Sequence, residues 1–435
     1  MQSHTSASEG TITRWLRRAP AIPFMLYTVG AAFCTYFCMY GFRKAFGAAT
    51  YEGQVFQLGD LTLTLKSALV ISQLVGYTLS KYIGVKYLSE LRPERRVLGL
   101  VGAIVVAELA LVCVGLLPPG GRVLAIFFNG LPLGVVWGLV YSFLEGRTTS
   151  EILGAGLSCS YIIASGFAKT VGAQLMELGV PDHWMAAVTG VCYLPFFLCA
   201  VWLLKQVPPP SPDDVAQRVR RDPMDARERR AFLRRYFLGL SLLLVLYFFL
   251  TAYRDYRDNF QREIFGELGI DDPAAFNKTE IPVGVLVLGG MALIYLVKDN
   301  RRGFFFTHLM MASGTILIGV STLLLDTGKL DGLTWMILVG VGLYLAYVPF
   351  GCVLFDRLIA ATRTVGTAVF MIYVADALGY TGSIGVVLYK NFGQEGMSHL
   401  EFFRYFSYFT AVFCTVCFLG SFLYFRTKTP VRNAD

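Results

Sequence analysis

Charged residues are scarce in this sequence. They make up 16% of the 435 residues, whereas 55% of the residues are hydrophobic and the mean hydropathy is +0.56. A soluble domain typically carries about 25% charged residues, so this composition excludes an ordinary soluble globular protein. Polar stretches long enough to build a sizeable soluble domain are also missing. The composition therefore indicates an integral membrane protein.

Sequence motifs of the common enzyme and nucleotide-binding classes are missing as well. There is no Walker A loop, no GxGxxG after a strand, no HExxH and no GxSxG. Their absence excludes P-loop ATP-driven transport and leaves no nucleophile–base pair to suggest an enzyme. All nine cysteines lie in apolar stretches, where a small buried residue is the ordinary interpretation. We expect no enzyme activity, no metal site and no cofactor.

Long apolar stretches account for most of the chain. A membrane-spanning helix needs roughly 20 mainly apolar residues, and twelve stretches meet this requirement. They are residues 21–42, 63–84, 97–117, 122–144, 151–176, 183–204, 236–253, 281–298, 304–325, 333–355, 364–388 and 402–425. The sequence therefore predicts an all-α polytopic membrane protein with 12 transmembrane helices.

The positive charges indicate how the chain is oriented. With a cytoplasmic N-terminus, most of the 38 lysines and arginines fall in the cytoplasmic segments, as the positive-inside rule requires. The net charge of +8 then reflects topology and does not indicate binding to nucleic acid. We expect a multi-pass protein of the inner (cytoplasmic) membrane with both termini in the cytoplasm. The first span is long enough to be an uncleaved helix.

A proline-rich and strongly basic segment divides the chain. Residues 206–235 are predicted to be a cytoplasmic linker held at the lipid surface by its charge, between six-helix bundles at 1–205 and 236–435. The first span of each half ends similarly, in "YGFRKAF" and "TAYRDYRDNF". Two parallel six-helix repeats, pseudo-symmetric about an axis along the membrane normal, form the major-facilitator architecture, in which substrate binds near mid-membrane.

Ionisable side chains inside spans are candidates for function, because each is costly in lipid unless it is paired or hydrated. Arg43 and Arg254 end the first span of each half, so we predict that they face each other and bind an anion through their planar forks of donors. Lys81, Tyr36 and Tyr40 are further substrate-binding candidates. The alternative is that the arginines contact headgroups or neighbouring acids, that Lys81 snorkels, and that the tyrosines only pack.

Three other ionisable residues within spans are candidates for coupling or gating. Lys169 has no acidic neighbour in sequence and needs a partner from another helix. Asp376 in the other half and Glu108 are the candidates for that partner. A Lys169–Asp376 pair would join the two halves as a gate. The alternative is a structural pair within one half.

Two segments resemble a known family. "MYGFRKAFGAA" and "GYTLSKYIG" resemble the first and second helices of the organophosphate:phosphate antiporters, a major-facilitator family. In that family, the matching arginine and lysine bind the phosphate group, which implies this role for Arg43 and Lys81 and, through its position in helix 7, for Arg254. The acids around Arg254 depart from the pattern. The chain is also similar to a bacterial major-facilitator-like group of unknown substrate.

These observations predict a secondary active transporter of a small organic anion, for example a phosphorylated metabolite exchanged for phosphate. Its partners would be a small-molecule substrate and membrane lipid. One alternative is a proton-coupled symporter or effluxer of a neutral or cationic solute, with the span acids carrying protons. Another is a non-transporting membrane sensor that signals through the basic linker. The sequence leaves the substrate, the coupling ion and the oligomeric state open.

Overall fold

Apolar helices dominate the structure. A chain that crosses lipid forms helices because its backbone groups must satisfy one another's hydrogen bonds there. The computed structural model describes residues 10–90, 93–144, 147, 150–211, 214, 226–362 and 368–428. Within these ranges, nine helices are long and apolar enough to cross a membrane. The chain is an all-α polytopic membrane protein, as its composition predicts.

The helices of the first half follow one another with short connections. They are α1 (Thr11–Arg18), α2 (Ala21–Lys44), α3 (Leu65–Glu90), α4 (Arg96–Leu116), α5 (Pro119–Leu133), α6 (Val136–Tyr141), α7 (Ser150–Glu177) and α8 (Asp182–Lys205). A short 3₁₀ segment, Ala45–Ala48, continues α2. The break between α5 and α6 follows Pro132, which removes a backbone donor and bends the span.

The second half repeats this arrangement. Its helices are α9 (Ala226–Arg235), α10 (Phe237–Asn259), α11 (Gln261–Glu267), α12 (Ala275–Leu296), α13 (Asn300–Asp326), α14 (Gly332–Cys352), α15 (Leu354–Thr362), α16 (Ala368–Gly393) and α17 (His399–Lys428). The predicted linker includes residues 212–213 and 215–225, which lie outside the described residues, and α9 forms its end.

Each of the twelve predicted spans coincides with one long helix or, for the fourth, with α5 and α6 together. Two boundaries in the second half were predicted too short. The seventh span continues to Asn259, and the eighth begins at Ala275. Apolarity alone marks the part of a helix that faces lipid, whereas these extensions carry charged residues buried against other helices. Arg254 and Asp258 therefore belong to the α10 helix.

The connection between α2 and α3 contains a small β-hairpin that the sequence analysis did not predict. Strands β1 (Val55–Leu58) and β2 (Leu61–Thr64) pair antiparallel, with Leu58 opposite Leu61. Gly59 has a φ of +61°, and a glycine with positive φ at the first central position fits a two-residue hairpin turn. We call this end of the molecule the hairpin side, and the end that carries α1 and α9 the terminus side.

The same helix packings occur in both halves. In the first half, α2 packs on α7 and α8, α5 packs on α3 and α4, and α4 packs on α8. In the second half, α10 packs on α16 and α17, α14 packs on α12 and α13, and α13 packs on α17. Between the halves, α7 packs on α12 and α3 packs on α16. The chain therefore forms two equivalent helical bundles that meet along two matching seams.

Glycines allow the closest of these packings. A Cβ added to Gly314 of α13 would lie closer than 3.0 Å to the backbone of α14, and the same holds in reverse for Gly342. Gly130 of α5 approaches the α3 backbone in the same way. Such small residues let transmembrane helices pack backbone to backbone.

We expect Gly342→Ala to lower the thermal stability of the purified protein in detergent. The added methyl group would overlap the α13 backbone, and overpacking of this kind costs about 1–3 kcal/mol. The matched control is Gly102→Ala in α4, where a Cβ would meet no atom within 4 Å. A melting temperature for Gly342→Ala equal to that of the control would show that α13 and α14 can separate at this point.

Candidate functional site

One face of α3 carries three polar side chains spaced four residues apart, Gln73, Tyr77 and Lys81. Residues at this spacing lie one above another on a helix. Tyr77 lies at the middle of α3. The guanidinium carbon of Arg43 lies 3.8 Å from the centroid of the Tyr77 ring and 5.7 Å from that of Tyr40. The Arg43 side chain is thus held by tyrosine rings at the level of the middle of α3.

Arg43 is buried, with only 3% of its surface exposed. Among the described residues, no carboxylate forms an ion pair with it, and its Nε atom has no hydrogen-bond partner. A buried guanidinium is costly unless its charge and donors are matched. Arg43 therefore has unused capacity to bind an anion.

Arg254 approaches from the other bundle. Its guanidinium donates to the neighbouring Asp255 carboxylate, at 2.7 Å from Nη2, and to the Tyr347 hydroxyl. The guanidinium carbon lies 5.4 Å from the ring centroid of Tyr380. The Tyr380 ring in turn lies 5.0 Å from that of Tyr77. The two arginines therefore stack on a pair of tyrosines that joins the bundles.

Arg43 and Arg254 line the same small cavity. Its lining residues are Tyr40, Arg43, Lys44, Tyr161, Arg254, Asp255, Asp258 and Tyr344. Three of the five residues predicted to bind substrate are in this set. Tyr36 packs edge-on against Tyr40, with ring centroids 5.7 Å apart, and is not part of the lining. Lys81 lies one helical turn beyond Tyr77, towards the terminus side.

Lys81 pairs with Asp376 across the seam between α3 and α16. Its ammonium nitrogen lies 3.6 Å from the carboxylate, which also accepts a hydrogen bond of 2.9 Å from the Tyr247 hydroxyl. The two side chains are 11% and 22% exposed. Lys81 and Asp376 thus join the two bundles on the terminus side of the tyrosine pair.

Lys169 pairs with Asp258 and not with Asp376, so the predicted Lys169–Asp376 pair does not form. Its ammonium nitrogen lies 2.7 Å from the Asp258 carboxylate and 2.7 Å from the Gln261 amide oxygen. Lys44 binds the other oxygen of the same carboxylate at 2.6 Å. We call Lys44, Lys169 and Asp258 the Asp258 cluster. It ties α2 and α7 of the first bundle to α10 of the second.

A second ion pair joins the bundles nearer the hairpin side. Lys66 of α3 lies 3.3 Å from Glu263 of α11. Its ammonium group also donates to the backbone carbonyls of Gly47 and Ala49, at 2.9 and 2.5 Å. Together with the Asp258 cluster, this pair closes the space between the bundles on the hairpin side.

The cavity and the Asp258 cluster carry more positive than negative charge. Among the described residues of this set, four cations face two carboxylates. The cations are Arg43, Lys44, Lys169 and Arg254, and the carboxylates are Asp255 and Asp258. The set thus carries a net excess of two positive charges, and among its described cations only Arg43 pairs with no carboxylate. Because charge of one sign in a closed cavity raises the local potential, this cavity favours an anion.

Glu108 lies away from the cavity, between α4 and α8 of the first bundle. Its carboxylate lies against Gly190, where an added Cβ would overlap it. Neither carboxylate oxygen has a hydrogen-bond partner among the described residues. The arrangement does not bring Glu108 together with Lys169 or Asp376.

Comparison with protein families gives one match. Residues 45–428 match a family of unknown function, DUF5690. The chain belongs to this family. No curated protein matches the sequence. The resemblance to the organophosphate:phosphate antiporters stays a prediction.

Solved structures resemble this DUF5690 member over nearly its whole length. The POT family transporter PepTSo aligns with a TM-score of 0.60 at 14% identity, covering 93% of this chain and 98% of that one. The xylose transporter XylE from E. coli, in a partially occluded inward-open conformation, aligns with a TM-score of 0.53 at 16% identity, covering 91% and 97%. These likenesses confirm the major-facilitator-like fold.

Sequence reasoning missed Lys44 and Asp258 as parts of the site. Adjacent helical residues point about 100° apart, so the spacing favours Arg43 over Lys44 as a cavity residue, but the long side chain of Lys44 still reaches the cavity edge. Sequence spacing groups Asp258 with Arg254, one turn away, and with the span acids that could carry protons, but it does not indicate the pairing with Lys44 and Lys169. The spacing of Gln73, Tyr77 and Lys81 was the signal that could have located the cavity-facing side of α3.

We expect Asp258→Asn to destabilise this DUF5690 protein. Removing the carboxylate leaves Lys44 and Lys169 buried without a counter-charge, and breaking a buried pair in this way costs about 3–5 kcal/mol. The matched control is Asp272→Asn, which breaks an exposed pair with Lys278 and should change stability little. Thermal unfolding in detergent measures both. Equal melting temperatures would mean that the Asp258 cluster does not hold the bundles together.

Proposed function

We propose that this protein is a secondary transporter that moves a small organic dianion across the membrane by alternating access. The observation that carries the proposal is the net excess of two positive charges, four cations against two carboxylates, at a buried cavity between two equivalent bundles. Intramembrane charge is retained where it serves a substrate pathway. A ligand with two negative charges would neutralise the set.

Arginine suits this role better than lysine does. Its planar fork of donors matches phosphate or carboxylate oxygens in a bidentate geometry. Arg43, which has no acidic partner, would be the principal ligand for the anion. Arg254 already donates to Asp255 and Tyr347 and would complete the site from the second bundle. The leading candidate substrate is a phosphorylated metabolite exchanged for phosphate.

The contacts between the bundles suggest how access alternates. The Asp258 cluster and the Lys66–Glu263 pair close the hairpin side, whereas Lys81–Asp376 and the tyrosine pair close the terminus side. An anion in the cavity would compete with Asp258 for Lys44, which lines the same cavity. Binding would thereby weaken one closed side. The positive-inside pattern supports a cytoplasmic terminus side in an inner-membrane protein.

A proton-coupled transporter is the second candidate function. Asp376 supports it, because this carboxylate is shared by Lys81 and the Tyr247 hydroxyl at the bundle seam and is 22% exposed. A carboxylate in such a position could exchange a proton as the seam opens and closes. The two candidates differ in whether transport depends on a proton gradient.

Ligand-induced stabilisation tests the anion site. Inorganic phosphate, glycerol phosphate and dicarboxylates should raise the melting temperature of the purified protein, since a ligand that binds only the folded state stabilises it by about 2.7 kcal/mol at one hundred times Kd. Arg43→Ala should abolish the shift, and Arg43→Lys should weaken binding about tenfold because it loses the fork. Arg122→Ala, outside the cavity, is the matched control. Stabilisation by neutral or cationic solutes alone would contradict the proposal.

Transport assays in reconstituted vesicles distinguish phosphate exchange from proton-coupled transport. Uptake of labelled phosphate into vesicles preloaded with phosphate should persist when an uncoupler collapses the proton gradient. If uptake stops with the uncoupler and Asp376→Asn has the same effect, the proton-coupled candidate replaces exchange. Arg43→Ala vesicles serve as the inactive control.

A further inference from the structure

The backbone around Arg43 is held by side chains from two neighbouring helices. The Gln73 amide of α3 donates to the Arg43 carbonyl at 2.9 Å and to the Asn129 amide oxygen at 2.8 Å. The Asn129 amide of α5 donates to the carbonyls of Phe42 and Ala107, at 3.0 and 3.1 Å. Both side chains are buried, with exposures of 3% and 0%. Of the residues joined by these bonds, only Arg43 lines the cavity.

The geometry of α2 explains why these donors are needed. The α-helix ends at Lys44, and a 3₁₀ segment follows. The last four carbonyls of an α-helix have no partner within it, and Phe42 and Arg43 are among these four residues. In a membrane, unsatisfied carbonyls are costly. The Gln73–Asn129 pair supplies donors to two of these carbonyls, at the helix end that carries Arg43 and Lys44.

Helix α3 therefore contacts Arg43 twice. Gln73 binds its carbonyl, and Tyr77, one turn along the same face, lies against its guanidinium at 3.8 Å. The direction of the guanidinium fork depends on the position of the Arg43 Cα atom, which the first contact fixes. We propose that Gln73, supported by Asn129, is a positioning residue that orients Arg43 for bidentate binding of a phosphate or carboxylate group.

This inference rests on the proposed function, because it concerns the anion site. It goes further because it assigns the orientation of Arg43 to Gln73, a residue that does not touch the ligand. The orientation of a fork matters for arginine, whereas a flexible lysine tolerates a displaced backbone. The effect of Gln73 on binding should therefore depend on arginine at position 43.

A double-mutant cycle tests whether the effect of Gln73 on anion binding depends on Arg43. The dissociation constant for inorganic phosphate is measured with purified wild type, Gln73→Met, Arg43→Lys and the double variant. We expect Gln73→Met to raise Kd about tenfold in the wild-type background, since small misplacements of a binding group are costly, and no more than about twofold in the Arg43→Lys background. An equal penalty in both backgrounds, or none in the wild type, overturns the inference.

Ser72→Ala is the matched control. Ser72 is adjacent to Gln73 and donates to the Val123 carbonyl of α5 at 2.6 Å, so it joins the same two helices without touching α2. Its Kd should equal that of wild type. If Gln73→Met does not fold, Asn129→Ser replaces it in the cycle. Absence of phosphate binding by wild type contradicts the anion site itself and is thus distinguishable from failure of the positioning role.

Discussion

The cost of burying charge within a membrane is the constraint on which this structure depends. Lipid offers no hydration, so each ionisable side chain needs a partner, a wet cavity or a ligand. Lys44, Lys169 and Lys66 obtain carboxylate partners from the opposite bundle. These ion pairs therefore hold the bundles together at the same time as they neutralise the cations. Arg43 differs. Its guanidinium contacts tyrosine rings and its carbonyl accepts from the Gln73 amide, so its positive charge remains available to bind an anion.

The repetition of helix packings gives these charges their location. Because α2 and α10 occupy equivalent positions, the cations near their ends approach each other from opposite bundles. Of the two matching seams, the one between α3 and α16 brings Tyr77 to Tyr380 and Lys81 to Asp376. This seam thus supplies both aromatic and ionic contacts beside the cavity. A single bundle of six helices could not enclose the site.

Much of this arrangement was predictable from the sequence. The features that were not predicted, or were predicted wrongly, each have a physical reason. Apolar length located the spans, and the corresponding ends of spans one and seven identified Arg43 and Arg254, which line one cavity. The predicted pairing of Lys169 with Asp376 was wrong. Sequence spacing gives the face of its own helix on which a residue lies, but not how that helix is rotated against its neighbours. Apolarity leaves the segment after residue 253 open between a continued helix and a folded loop, because it does not detect a buried polar helix. The β-hairpin was not predicted because apolar length marks spanning helices and not short strands.

The glycine contact between α13 and α14 has a consequence for how the molecule can move. Two helices in backbone contact, with Gly314 and Gly342 each facing the other's main chain, have no side-chain layer between them to deform. Sliding or separation there would lose dense van der Waals contact along the crossing. The second bundle therefore behaves mechanically as a stiff body at this point. Movement is easier at the seams between the bundles, because long polar side chains there can exchange partners without repacking a core.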